Sequence, residues 1–262
     1  MIAAPKEKPY AELGIDHRNW TSWRGSLGSR TAWKSVCSLC LISYTMYYSS
    51  LVLDSVVMMI IGGVWCVKLL CEIWGQETPT WACPNGPGLF VLVYVFGLPS
   101  FAWMFGSCRV VDIEMPQREL VGLALYLFGS TCSLGHELHR FNWKAKPENK
   151  GKLHTVGLAA YCIHPNYFGD LFTYSGWALA SGTKCALSIF PFQFFLMVMF
   201  VCPNSDAYLA QRYSSEFPAY AAATATYIPG LHSQALSKGL AWICLAFAIW
   251  MEMNCSVACG LA

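Results

Sequence analysis

Charge is what this chain has least of. Only 12% of its 262 residues are Asp, Glu, Lys or Arg, against 55% hydrophobic residues and a mean hydropathy of +0.41. That balance excludes an ordinary soluble domain and implies an integral membrane protein. A formal net charge of +2 is too small to favour nucleic acid as a partner. The sequence has no phosphate-cradling glycine-rich loop, no zinc-type Cys/His cluster, no internal repeat and no low-complexity linker. No apolar stretch precedes residue 35, which predicts that there is no cleavable signal peptide. Cysteine is plentiful at 13, but most of these residues fall inside apolar runs, where a thiol acts as a small hydrophobe. Cys37 and Cys40 form a CxxC inside one such run, a setting that argues against redox or metal chemistry.

Long hydrophobic runs are present instead. Crossing a hydrocarbon core takes ~20 apolar residues, and candidate spans lie at 35–53, 55–73, 88–108, 118–136, 166–182, 185–202 and 238–257. The expected fold is all-α, a polytopic transmembrane helix bundle of six or seven spans. From Ser35 to Trp74 the apolar run is about twice the length of one span, so either a hairpin turns at Asp54 or one long helix protrudes. Charge favours the hairpin. Lys6, Lys8, Arg18, Arg24, Arg30 and Lys34 precede the first span, and Arg140, Lys144, Lys146, Lys150 and Lys152 follow Gly135. If both clusters obey the positive-inside bias they share one side, which needs an even number of spans between them, and the hairpin supplies it. Tyr10, Trp20, Trp23 and Trp33 fit an interfacial anchor or a partner surface.

Gly157–Gly182, GLAAYCIHPNYFGDLFTYSGWALASG, carries the densest chemistry. Pro165 suits the first position of a helix, where its missing N–H has no intrahelical partner, and the free N–H groups of the next turn make an anion-accepting end. Asn166, Asp170 and Tyr174 then recur at i, i+4 and i+8, with Trp177 three residues on. That face joins an amide, a carboxylate, a phenol and an indole and should not point at lipid tails. An acid within an apolar helix defaults to a functional role.

Ahead of this helix runs NWKAKPENKGK, Asn142–Lys152, and after it DAYLAQRYSSEFPAYAAATATYIP, Asp206–Pro229. In this order the three pieces resemble the membrane reductases of the steroid 5-alpha-reductase C-terminal type, over about residues 118–230. Membrane methyltransferases acting on isoprenylcysteine or phospholipid amines share a similar helix, and Asn166 within HPNYFG tilts the likeness toward the reductases. The resemblance implies that NADPH is the cofactor and that a conjugated lipid double bond is reduced. His164, Asn166, Tyr167 and Asp170 would then face the cofactor, Asn166 and Asp170 at its nicotinamide-ribose end, with Lys144, Lys150 and Lys152 at the phosphates. Arg212 is a further cation for phosphate, and Tyr174 and Trp177 are candidates for the substrate- or lipid-facing side. Catalytic residues stay unassigned, because Tyr44, Tyr47, Tyr48, Glu72 and Tyr94 are all available as proton donors.

The chain also departs from the pattern. Ile163 stands where the family has Arg, Ala159 and Ala160 replace Trp-Arg, and Ala221, Ala222 and Ala223 replace an arginine cluster. Each loss removes a guanidinium, the group that grips phosphate bidentately. Glu137 and His139 replace the family's Asp and Gln. The expected organisation is a polar extension over 1–34, transmembrane helices over 35–136, a reductase-like cofactor and lipid region over 137–230 and an additional C-terminal transmembrane helix over 231–262. The leading functional expectation is an NADPH-dependent lipid or sterol double-bond reductase, in the endoplasmic reticulum or an organelle inner membrane. A catalytically silent relative, serving as a structural or lipid-binding subunit held to other membrane proteins through 1–34 and 238–262, is the alternative. A methyltransferase using S-adenosylmethionine comes third. Membrane lipid is the expected partner, no nucleic acid or metal site is expected, and Glu252 late in the last span fits snorkelling or pairing with another subunit.

Overall fold

A computed structural model describes residues 30–75, 95, 117–182 and 184–258. The expected span at 88–108 and most of the 1–34 extension lie outside these residues. Among the described residues the protein is helical, and its only extended pairing is one isolated parallel bridge between Cys162 and Ala225. The chain divides into two units, Met1–Cys108 and Arg109–Ala262.

In the first unit α1 (Arg30–Leu51) and α2 (Val56–Gly75) form an antiparallel hairpin turning at Asp54, as the charge pattern predicts. Ser55 caps the second helix by accepting the Met58 N–H at 3.2 Å. The edge of the Tyr48 ring packs against Gly62, where a Cβ would sit 2.5 Å from Cε1. At the other end of the hairpin the Trp74 indole donates to Ser38 at 3.0 Å. Trp33 is buried in this unit rather than lying on its surface.

The second unit is organised by α3 (Arg118–Ala145) and α4 (Pro165–Ser181), which run antiparallel. Glycines recur every seven residues on both, Gly122 and Gly129 on one helix and Gly169 and Gly176 on the other. They meet backbone to backbone. A Cβ on Gly122 would lie 2.6 Å from the Gly176 carbonyl oxygen, and one on Gly169 would lie 2.6 Å from the Gly129 carbonyl oxygen. Such small-residue stripes let helices approach until backbones touch, the packing used where no hydrophobic driving force acts between helices. Thr173 sits within the stripe and donates to the Gly169 carbonyl at 3.0 Å, while Trp177 and Tyr126 meet edge to face at 6.1 Å. Helix α4 ends at Gly182, whose φ of +79° suits glycine and over which the Arg118 guanidinium lies.

After α5 (Lys184–Leu187), helix α6 runs from Ile189 to Arg212. It contains a π-turn at Met197–Val201, one residue ahead of Pro203, which cannot donate to the helical ladder. A short α7 (Phe217–Ala223) leads to the closing segment, and α8 (Gln234–Ala258) returns along α6, with Phe195 against Trp242 and the Ser188 hydroxyl donating to Glu252. Leu171, Phe194, Phe195, Val198, Cys202, Tyr227 and Ala241 form the core where α4, α6 and α8 meet.

Two of these helices, Ile189–Arg212 and Gln234–Asn254, are long and apolar enough to cross a membrane. Few residues of the second are buried within the protein. The expected span at 185–202 is corrected in both bounds: the chain breaks at Ser188, and the helix continues through Asn204 to Ser205 and Asp206, which bond to Tyr167 and His164 at the start of α4.

The glycine stripe yields a paired test. Gly176→Ala should cost about 1–3 kcal/mol, since its Cβ would meet the Gly122 carbonyl at 2.5 Å. Gly135→Ala, whose Cβ meets nothing within 4 Å, should be neutral or stabilise by up to ~1 kcal/mol. Thermal unfolding of the two variants in detergent compares them directly, and equal melting temperatures would show that the helices are not in backbone contact.

Candidate functional site at the start of helix α4

His164 precedes α4 in a non-helical conformation, and Pro165 opens the helix. Two bonds tie the approaching chain to the closing segment: the Ile163 N–H donates to the Ala225 carbonyl at 2.8 Å and the His164 N–H to the Thr226 carbonyl at 3.2 Å. The buried His164 ring then stacks on Tyr167 at 5.1 Å, and its Nε2 lies 2.8 Å from Asp206 Oδ1 on α6. One turn away, Tyr167 and Ser205 share a hydroxyl hydrogen bond of 3.1 Å. Successive residues of α6 therefore hold successive polar groups of α4, below the π-turn that shifts their register.

Asn166 is half-buried and makes no side-chain hydrogen bond among the described residues, and its backbone N–H and that of Tyr167 are the open donors of the first turn. Asp170 and Tyr174 are half-buried and have interactions of their own. Trp177, expected on a substrate- or lipid-facing side, is 1% exposed and packs inside the α3–α4 pair. Asn166, Asp170 and Tyr174 thus stay half-buried, and only Trp177, three residues on, lies in the core.

The basic loop docks against α6 and α7. Lys144 donates to the Tyr213 hydroxyl at 2.5 Å and sits over that ring, and Glu216 accepts the Leu153 N–H at 3.2 Å. Arg212 donates to Tyr208 at 2.5 Å and lies near the rings of Tyr208 and Tyr213. Lys150 and Lys152 are exposed and form no ion pair among the described residues. Of the cations expected at phosphates, two are committed to tyrosines and two remain open.

The positions of the replaced arginines divide in the same way. Ile163 is buried with Leu153, Tyr213 and Phe217, whereas Ala160 and Ala222 are on the surface. Cys162 is buried beside them, and burial pushes its thiol up to about 12, which leaves it inert as a nucleophile near neutral pH. Tyr220 donates to the Ala159 carbonyl at 2.5 Å, and burial raises its phenol too. Glu137 is engaged by Arg140 through both Nε, at 3.1 Å, and Nη2, at 2.5 Å. Sequence reasoning assigned no role to Asp206, Ser205 or His154. An acid in the turn after a helical proline, at the polar end of an apolar run, is the signal that marks Asp206.

The profile of DUF1295, a family described as proteins of unknown function, matches residues 89–224. The chain belongs to this family. DUF1295 proteins lie within the steroid 5-alpha-reductase-like superfamily, which agrees with the likeness of the three sequence pieces. No curated protein and no solved structure matches the chain. In this DUF1295 member the matched region holds α3, α4 and α6, which together build the site.

Asp206→Ala would leave the buried His164 ring without its acceptor and should cost about 1–3 kcal/mol, whereas Tyr167→Phe removes a single neutral bond worth ~0.5–1.5 kcal/mol. Melting temperatures in detergent should fall in that order, and a Tyr167→Phe loss equal to or larger than that of Asp206→Ala would show that the His–Asp pair does not hold the helix start.

Proposed function

We propose that this chain is an integral membrane reductase that uses NADPH to saturate an activated double bond of a lipid or sterol. The observation that carries the reading is the start of α4. There Asn166, an amide with no partner among the described residues, and the open N–H groups of the first turn stand beside a buried His164 held by Asp206, next to a loop whose Lys150 and Lys152 form no ion pair among those residues. A phosphate-bearing nicotinamide cofactor calls for these groups: donors for an amide and a ribose, an anion-accepting helix end and exposed cations. Asn166 and Asp170 would hold its nicotinamide-ribose end, Lys150 and Lys152 its phosphates. When bound, NADPH supplies the hydride. Asp206 and Tyr167 keep the His164 ring in one orientation, and α3 packs backbone to backbone against the helix that follows. Membership in the superfamily and the two apolar spanning helices support a substrate dissolved in the bilayer.

A second reading is favoured by one observation. Lys144 and Arg212 are spent on tyrosines, and Ala160 and Ala222 put methyl groups where a phosphate grip would need cations. This is what a catalytically silent relative, kept as a subunit of a larger membrane assembly, would look like.

Titration calorimetry of NADPH into the purified full-length protein separates them. Lys150→Ala with Lys152→Ala should weaken binding at least tenfold, since each charged hydrogen bond contributes ~1.5–3 kcal/mol. Ala160→Arg with Ala222→Arg should strengthen it by about tenfold or more; Ile163 is unsuitable because its side chain is buried. No binding by the native chain or the arginine variant, together with release from a larger complex when 238–262 are removed, would establish the subunit reading.

A further inference from the structure

Behind the α4 start, a second polar group joins the end of α3 to the loop that follows it. His154, 6% exposed, packs edge to face on Trp143 at 5.1 Å and beside His136 at 5.5 Å, and its Nε2 lies 3.2 Å from Nδ1 of the solvent-exposed His139. Among the described residues the Nδ1 atoms of His154 and His136 are buried with no partner. The three imidazoles are not arranged to hold a metal ion. Gly157, at φ +66°, closes the loop against His139, with its Cβ position 3.0 Å from that ring.

This geometry accepts only neutral His154. One proton suffices for the bond to His139, whichever ring donates it. With His154 donating from Nε2, a second proton would have to sit on Nδ1, as a buried charged N–H with no acceptor; with His139 donating, it would fall on Nε2 and set two N–H groups against each other. No described residue nearby offers Nδ1 an acceptor. On α3, Glu137 is taken by Arg140, and Arg140 and Lys144 add positive charge. Across from α3, His164 occupies Asp206, and Glu216 ahead of α7 accepts the Leu153 N–H. We propose that His154 is a proton-sensitive latch that seats the 146–156 loop on α3 only while it is neutral, so that acidification frees the loop carrying Lys150 and Lys152. The link from loop to cofactor rests on the reductase reading; the latch does not.

Burial, followed by the neighbouring His136, His139, Arg140 and Lys144, lowers His154 to about 4 in the closed loop. An open loop returns it to the ordinary value of ~6.5. The open form therefore binds more protons between these values. Closure is fully favourable above about pH 6.5 and is lost as pH falls toward 4.

Hydrogen exchange by mass spectrometry on the full chain in nanodiscs, corrected for intrinsic rates, reads the latch without any nucleotide. Amide protection over residues 146–156 should drop about twenty- to thirtyfold from pH 7.5 to pH 5, while protection in α4 stays constant. His154→Phe, which keeps the packing on Trp143, should flatten the profile, and so should His154→Leu if the first variant fails to fold. Glu216→Gln should leave the drop intact. A flat native profile would overturn the proposal, and so would an undiminished drop without His154 or a drop abolished by Glu216→Gln.

Discussion

Backbone contact between α3 and α4 is the constraint from which the rest of the second unit follows. Residues facing across the pair keep a constant register, Gly122 opposite Ala180 and Gly129 opposite Thr173. Continued toward the loop, that register brings His136 opposite the first turn of α4. With a side chain larger than hydrogen at any of the four stripe glycines the helices would separate, and the loop end of α3 would no longer back the α4 start. The stripe thus does for the site what an apolar core does in a soluble enzyme: it fixes two helices so that a few polar groups meet at defined distances.

Those polar groups are used sparingly. His164 with Asp206, Tyr167 with Ser205, Glu137 with Arg140 and Lys144 with Tyr213 are each matched locally. Such matching is expected where desolvation makes an unpaired group costly. Against this background the open groups stand out: Asn166, the first-turn N–H groups, Lys150 and Lys152. They lie toward one end of the helix pair, which is why a ligand with an amide at one end and phosphates at the other suits them better than a compact ion would.

Much of this was legible in the sequence, for physical reasons particular to each element. Asp54 marked the hairpin because an acid in a long apolar run must lie at a turn or find a partner. Pro165 marked the start of α4 because the first helical position alone tolerates it without loss. The seven-residue glycine stripe was not read, because only partner distances show that such glycines form an interface rather than weaken two helices. The end of α6 was misplaced because hydropathy stops at Cys202, whereas the helix continues on polar residues that pack against α4. Ile163 looked like a lost phosphate ligand and is in fact a core residue, since the chain around it folds inward onto Leu153 and Phe217. Long-range partners such as Asp206 for His164 and His154 for His139 cannot be read from spacing at all.

The most direct measurement follows a labelled hydride. Membranes containing the full-length protein would be supplied with NADPH deuterated at the nicotinamide C4 position and a total lipid extract, and the lipids analysed by mass spectrometry. The expected result is a lipid product carrying one added deuterium, formed only when the chain is present and strongly reduced by Asn166→Ala in protein that is still folded. Failure to label any lipid, with the chain folded and recovered in stoichiometric amounts within a larger complex, would contradict the reductase and leave the structural subunit.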